Sequence, residues 1–221
     1  MQSLATASAR FYPWYRQGGA PLPVQANRFL RKASLAEALV NEVTPGVLDL
    51  VEGSRPPTFA KESGALFDTG DDGQYLRTGI FSDDGDVSAF VTFTVHTNAP
   101  TCAIFGYYDA TAFFCHRITS DGYLQFCNGS YVILVGGGLT NGTHTLCIAG
   151  RVAYLDGVAV FGNLFTENPI ILELFLGALN YGNMAFQSCG CYITHWAFWD
   201  SALSAAQVFD IHARTMLEAG A

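Results

Sequence analysis

Along most of the chain, apolar positions recur at every second residue. In VSAFVTFTV (Val87 to Val95), Val87, Ala89, Val91, Phe93 and Val95 share one face and Ser88, Thr92 and Thr94 the other. That is the period of a strand with one face buried. Comparable short runs follow: TCAIFGYY, AFFCHRI, GYLQFC, YVILV, THTLCIAG, VAYL, VAVF and IILELFLGAL. Turn signals separate them: Ser120-Asp121-Gly122, Asn128-Gly129, Gly136-Gly137-Gly138, Asn141-Gly142 and Asp156-Gly157. The last, in YLDGVAV, predicts a hairpin with a two-residue tip. Many short strands with turns and no helical stretch between them predict an all-β, antiparallel jelly-roll β-sandwich.

Both ends depart from this rhythm. At the C-terminus, Ser204 and Gln207 form a capping box, Leu203 can staple onto Val208, and Val208, Phe209, His212 and Met216 make an apolar stripe. The pattern predicts a short C-terminal helix folded over an end or edge of the sandwich. Residues 1–45 open with RFYPWYRQGGAPLPV and contain a second capping box, Ser34 to Glu37, with Pro45 closing the pattern. A short helix inside an N-terminal arm is expected, and the arm is too short to build a core of its own. The predicted division is a docking arm over 1–45 and a jelly roll over 46–221.

Composition narrows the class. The 221 residues are 50% hydrophobic and only 14% charged, a balance that supports a folded core and argues against disorder. IILELFLGAL (Ile170 to Leu179) carries Glu173 and is too short to span a bilayer. The first nineteen residues lack the pattern of a signal peptide. Of the formal net charge of −8, residues 1–45 hold +3 and the remainder −11. An acidic body argues against a nucleic-acid partner, while the basic arm suits an acidic protein surface. Cys102, Cys115, Cys127, Cys147, Cys189 and Cys191 sit without an export signal, four of them singly in apolar runs. Six reduced thiols are expected.

Catalytic patterns are absent from the sequence. Glu167 and Glu173 lie six apart and read as the two ends of a strand, not as paired carboxylates. Neither G-x-S-x-G nor H-E-x-x-H occurs, and the five histidines show no usable spacing. On these grounds the sequence predicts a protein that is not an enzyme, with no catalytic residues.

The order of phrases resembles the laminin-G-like jelly rolls of the concanavalin A-like lectin/glucanase group. VLDLVEG and ALFDTGDDGQYLRTG stand where those domains open. GTHTLCIAGRVAYLDGVAV is similar to their W-H-x-V-A and Y-V-D-G phrases, and ITHWAFWDSALSAAQV to their closing strand and helix. The resemblance spans Gly46 to Met216. Thr194 and His195 replace the family's acidic pair, Thr143 its Trp and Gln207 its Glu.

The resemblance implies further chemistry. Calcium is the family's common ion, and it directs attention to Asp71, Asp72, Asp83, Asp84 and Asp86 as oxygen ligands. Asp-Gly is equally ordinary turn chemistry, and neither run has EF-hand spacing. The family's glycan binding points to Tyr107, Tyr108, Tyr181 and Asn183 as a stacking and hydrogen-bonding set. Phe11, Tyr12, Trp14, Tyr15 and Arg16 are the expected partner-docking residues. By analogy with phages that carry such domains on anchoring arms, the expected function is a non-enzymatic virion protein, head-decorating or tail-associated. It would be multi-copy, held by its arm to other virion proteins and displaying the jelly roll toward host glycans. The alternative is a cellular carbohydrate-binding, lectin-like module.

Overall fold

The computed structural model describes residues 13–68, 73–81, 86–95, 102–108, 113–119, 122–128, 131–135, 139, 142–162, 173–181, 184–186 and 189–220. A 3-10 segment (Trp14–Gly19) leads into β1 (Gln25–Arg28), α1 (Leu35–Leu39), β2 (Val51–Glu52), β3 (Thr58–Ala60), β4 (Gly64–Phe67) and β5 (Leu76–Arg77). Longer strands follow: β6 (Ser88–Val95), β7 (Cys102–Tyr108), β8 (Phe113–Ile118), β9 (Leu124–Asn128), β10 (Tyr131–Val135) and β11 (Thr143–Ala149). Then come β12 (Val152–Leu155), β13 (Val158–Gly162), β14 (Phe175–Leu176), β15 (Leu179–Tyr181), β16 (Met184–Phe186), β17 (Cys191–Trp199) and α2 (Ala205–Ala219).

The strands form two packed sheets, so the all-β sandwich expected from the sequence is the fold. One sheet runs β13-β12-β11-β6-β17-β4-β3 and the other β10-β9-β8-β7-β14-β5-β2. The alternation read in β6 is realised: Ala89, Val91 and Phe93 join the central core, while Phe90 belongs to a second cluster on the other side of the sheet. The hairpin tip joins β12 and β13 with positive φ at both Asp156 (51°) and Gly157 (74°), the primed turn that matches strand twist.

The central strands of the first sheet are buried on both faces. In β17, Ile193, Trp196 and Phe198 enter the core between the sheets, while Ala197 and Trp199 face outward. The outward cluster is closed by Trp14, Tyr15 and Ala20 from the N-terminal segment and by Leu203, Val208 and Ile211 from the C-terminal one. The last helix therefore lies across the outer face of this sheet, not over an end or edge. Its capping box forms as expected, but Val208, Ile211 and Thr215 are the buried side chains and Phe209 is 53% exposed. The apolar stripe is rotated because this helix meets a sheet face already half-covered by the 3-10 segment.

Residues 13–45 are woven into the same body. β1 pairs with β17, Gln25 opposite Phe198 and Arg28 opposite His195. Buried amide side chains then tie the following chain down. Asn27 Nδ2 donates to the carbonyls of Ala38, Leu39 and Val40, and Asn41 Nδ2 to those of Val24 and Val47. Gln25 bridges β1 to the core by donating to Leu48 and Thr78 carbonyls and accepting from Trp196 Nε1. The packing shows no break at residue 45.

The thiol expectation is also corrected. Cys189 and Cys191 are joined by a disulfide across one residue, and Cys147 is a buried free thiol whose pKa is raised by burial. Alkylation under denaturing, non-reducing conditions followed by mass spectrometry is expected to leave Cys189 and Cys191 unlabelled and to label Cys147.

Stability should divide the aromatic residues at the two ends. Trp14, 2% exposed, is expected to cost about 3–5 kcal/mol when changed to Ala. Phe209→Ala should stay within about 0.5 kcal/mol. Urea unfolding followed by circular dichroism checks both.

Candidate functional site

The helices and the 3-10 segment pack against the first sheet and against β1; among the described residues, none of these elements covers the outer face of the second sheet. Its outward residues can be read from the register. Val51 lies opposite Arg77, Arg77 opposite Phe175, and Phe175 opposite Gly106. Leu76 and Leu176, one step along, enter the core instead. A second row lies two residues further along β7, a rise of about 7 Å, where Tyr181 of β15 pairs with Tyr108.

Arg77 is the most firmly placed polar group on this face. Its Nε and Nη2 donate to the same Glu173 oxygen, Oε2, at 2.9 and 2.7 Å. The other carboxylate oxygen accepts from Gly79 N at 2.8 Å, and Asn180 Nδ2 holds the Glu173 carbonyl at 2.8 Å. Glu173 is buried, whereas the Arg77 side chain is 53% exposed. The hydrogen bond and charge of Glu173 raise the Arg77 pKa, fixing it as a permanent cation in a neutral pair. Beside it, Tyr75 stacks on Phe175 with ring centroids 4.3 Å apart, and Ala178 and Ala185 complete that small cluster.

The expected glycan residues divide. Tyr107 and Tyr108 of β7 and Tyr181 of β15 do come together through the parallel β7–β15 pairing. Tyr107, however, is 1% exposed and packs in the central core. A β-bulge between Ala103 and Phe105 sets which β7 residues turn inward, and the strand's periodicity alone does not reveal it. Tyr181 is 46% exposed and Met184, its partner across the β15–β16 hairpin, is exposed as well. Asn183 lies outside the described residues. So do Asp71, Asp72, Asp83 and Asp84; Asp86 is exposed, and the described residues contain no cluster of acids, His and Cys suited to a metal. Phe11 and Tyr12 are likewise outside the described residues. Trp14 and Tyr15 are buried against the chain's own body, with Trp14 edge-on to His195 at 4.9 Å, and Arg16 is exposed. Sequence reasoning missed Arg77 and Glu173: 96 residues separate them, and only the β5–β14 pairing brings them together.

Two further polar clusters hold the covering helix. Asp156 accepts from Thr145 N and lies 2.9 Å from His144 Nδ1, while Thr145 Oγ1 meets His212 Nδ1 of α2 at 2.8 Å. Burial would raise the Asp156 pKa, but its hydrogen bonds with His144 and Thr145 outweigh that and lower it. Deeper in, Glu218 lies 3.3 Å from His195 Nε2 and also meets Arg28 and Arg214. Burial works to raise the Glu218 carboxyl, yet His195 and the two arginines hold it down at about 2. Both clusters fasten the C-terminal helix to the first sheet, and the second also takes in Arg28 of β1.

No family model matches the chain, and no curated relative was found. Solved structures do match. The Trypanosoma rangeli sialidase, as a covalent intermediate with 2,3-difluorosialic acid, aligns with a TM-score of 0.64 and 13% identity over 88% of this chain. The same enzyme with 2,3-difluoro-KDN aligns at 0.62 and 12% over 89%. In both cases only 34% of the sialidase is covered, so this chain spans about a third of that protein. Domain 4 of AbnA, a GH43 extracellular arabinanase from Geobacillus stearothermophilus, in complex with arabinotriose, aligns at 0.56 and 15% over 86% of this chain and 98% of that one. At such identities the likeness is one of fold. It nevertheless corrects one expectation. The lack of catalytic motifs predicted a protein that is not an enzyme, but solved proteins that share this fold include sialidases and a domain of an arabinanase, so that exclusion does not stand.

Acid should weaken the fold. Burial pushes His116 down to about 3 and also lowers His195. Between the ordinary histidine value near 6.5 and about 3, the unfolded chain takes up a proton at His116 that the folded chain refuses. Stability should therefore fall with pH in this window, by up to about 1.4 kcal/mol per pH unit for each such histidine. Glu218, held at about 2, adds a loss as pH drops below the ordinary carboxylate range. Urea midpoints from pH 7 to 4 check this, and His116→Leu should flatten the slope.

Proposed function

We propose that this chain is a carbohydrate-binding domain whose ligand lies on the free outer face of the second sheet. The observation that carries the reading is Arg77, locked by buried Glu173 on a face the helices leave open. Exposed Tyr181 stands on the neighbouring row. A sugar presents hydroxyls on its rim and C–H groups on its faces; a fixed guanidinium donates to the former and a tyrosine ring covers the latter. The fold likeness supports this reading, since domain 4 of AbnA was solved with arabinotriose and matches this chain over nearly its whole length.

A second reading sets this domain on a phage particle, as a head-decoration or tail-associated protein that meets host glycans. Its support is the net charge of +3 over residues 1–45 and the exposed Arg16. Trp14 and Tyr15 are already spent on internal packing, so docking would use the outer surface of this segment. Finding the protein in purified particles is the outcome that sustains this setting, and its absence from them removes it.

The glycan reading is tested by titrating immobilised oligosaccharides with the purified protein. Binding is expected, and Tyr181→Ala should weaken it about tenfold, corresponding to the loss of one aromatic contact of about 1.4 kcal/mol, without changing the melting temperature. Undiminished binding by Tyr181→Ala moves the site off this face.

A further inference from the structure

Resting on the glycan-binding reading, we infer that the Arg77 face selects neutral, hydroxyl-rich sugars and excludes acidic ones, with Arg77 acting as a fixed donor and not as an attracting charge. An exposed arginine on a binding face ordinarily suggests a carboxylate or phosphate partner. Here three observations oppose that.

The guanidinium is already committed to an anion. Two of its five N–H groups go to one Glu173 oxygen at 2.9 and 2.7 Å. The carboxylate cannot swing aside to release it, because Oε1 is held by Gly79 N and the backbone by Asn180. A second carboxylate at the open side of Arg77 would face Glu173 across a single cation, a like-charge arrangement that costs energy in a partly buried site. The three remaining N–H donors have no partner among the described residues. They suit groups that accept without carrying charge, namely adjacent sugar hydroxyls.

The surroundings are not cationic either. Residues 46–221 carry a net −11, so the long-range field of this body repels anionic ligands. On this face exposed Val51 lies directly opposite Arg77 on β2, Phe175 of β14 is buried against Tyr75, and exposed Tyr181 and Met184 stand on the next row, on the β15–β16 hairpin. A neutral pair beside exposed Val51, with exposed Tyr181 and Met184 on the next row, complements a neutral sugar, whose C–H faces pack while its rim hydroxyls accept from the fork.

The test compares arabinotriose, cellotriose and mannotriose with sialyllactose and trigalacturonate by calorimetry, in low and high salt. Neutral sugars are expected to bind, with affinity changing by less than about twofold between roughly 0.02 and 0.5 M NaCl, because no net charge is neutralised. Arg77→Lys, which keeps the charge but loses the planar fork, should weaken neutral-sugar binding about tenfold. Glu173→Gln removes the compensating charge and should make binding of the acidic sugars appear, falling steeply with salt. A wild-type preference for the acidic sugars overturns the inference while leaving glycan binding intact, and so does neutral-sugar binding that Arg77→Lys leaves unchanged. Failure to bind any sugar of either panel overturns the glycan-binding reading itself.

Discussion

The structure depends on one constraint: the central strands of the first sheet are apolar on both faces. β17 runs Trp196-Ala197-Phe198-Trp199, and β6 and β11 are buried along most of their length. A strand of this kind cannot face water on either side. One side is satisfied by the opposing sheet. The other needs separate cover, and the chain supplies it from both ends, with Trp14 and Tyr15 arriving from one terminus and Val208 and Ile211 from the other. The helix that ends the protein is thus a lid on Phe90, Cys147, Ala197 and Trp199, and the sandwich needs it.

That solution decides which face the terminal segments leave uncovered. Both terminal segments are spent on the first sheet, and their polar fastenings lie there as well: His195 with Glu218, and Thr145 with His212. The second sheet is left with an outer face holding only a small cluster of its own, Tyr75, Phe175 and Ala178. Arg77 keeps its place on this face because Glu173, buried just ahead of β14, grips it. The same grip explains why Glu173 tolerates burial inside an apolar run: its two oxygens have partners on β5 and at Gly79.

Much of this was legible in the sequence wherever a local rule acts alone. The alternation of β6, the Asp156-Gly157 hairpin and the Ser204–Gln207 box each depend on neighbours within a few residues, and each formed as read. Reading failed where a distant partner decides. β1 is Gln-Ala-Asn-Arg, a polar stretch with no strand signature, and becomes a strand because its amide side chains saturate backbone carbonyls of residues 38–48 and 78. The helix stripe was misjudged because its phase is set by the sheet beneath it. Tyr107 and Tyr181 look alike in sequence, and a bulge in one strand separates a core residue from a surface one. Of the candidate site, Tyr181 was named from the resemblance, whereas Arg77 and Glu173 carry no local pattern that would single them out.

The contrast between the two ion-pair clusters shows why one is structural and the other suited to recognition. Around Glu218 the centre is drawn inward: His195 is fully buried, and the partly exposed Arg28 and Arg214 close over the carboxylate from two elements. Such a cluster holds the fold together, and its opening would loosen the C-terminal helix. At Arg77 only the glutamate is buried, and the guanidinium keeps donors in hand beside solvent. A rigid group with unspent donors loses little freedom when a ligand arrives, so less of each hydrogen bond it forms is offset by ordering. By this physical criterion the Arg77 face is better suited to recognition than the more heavily charged cluster beneath the C-terminal helix.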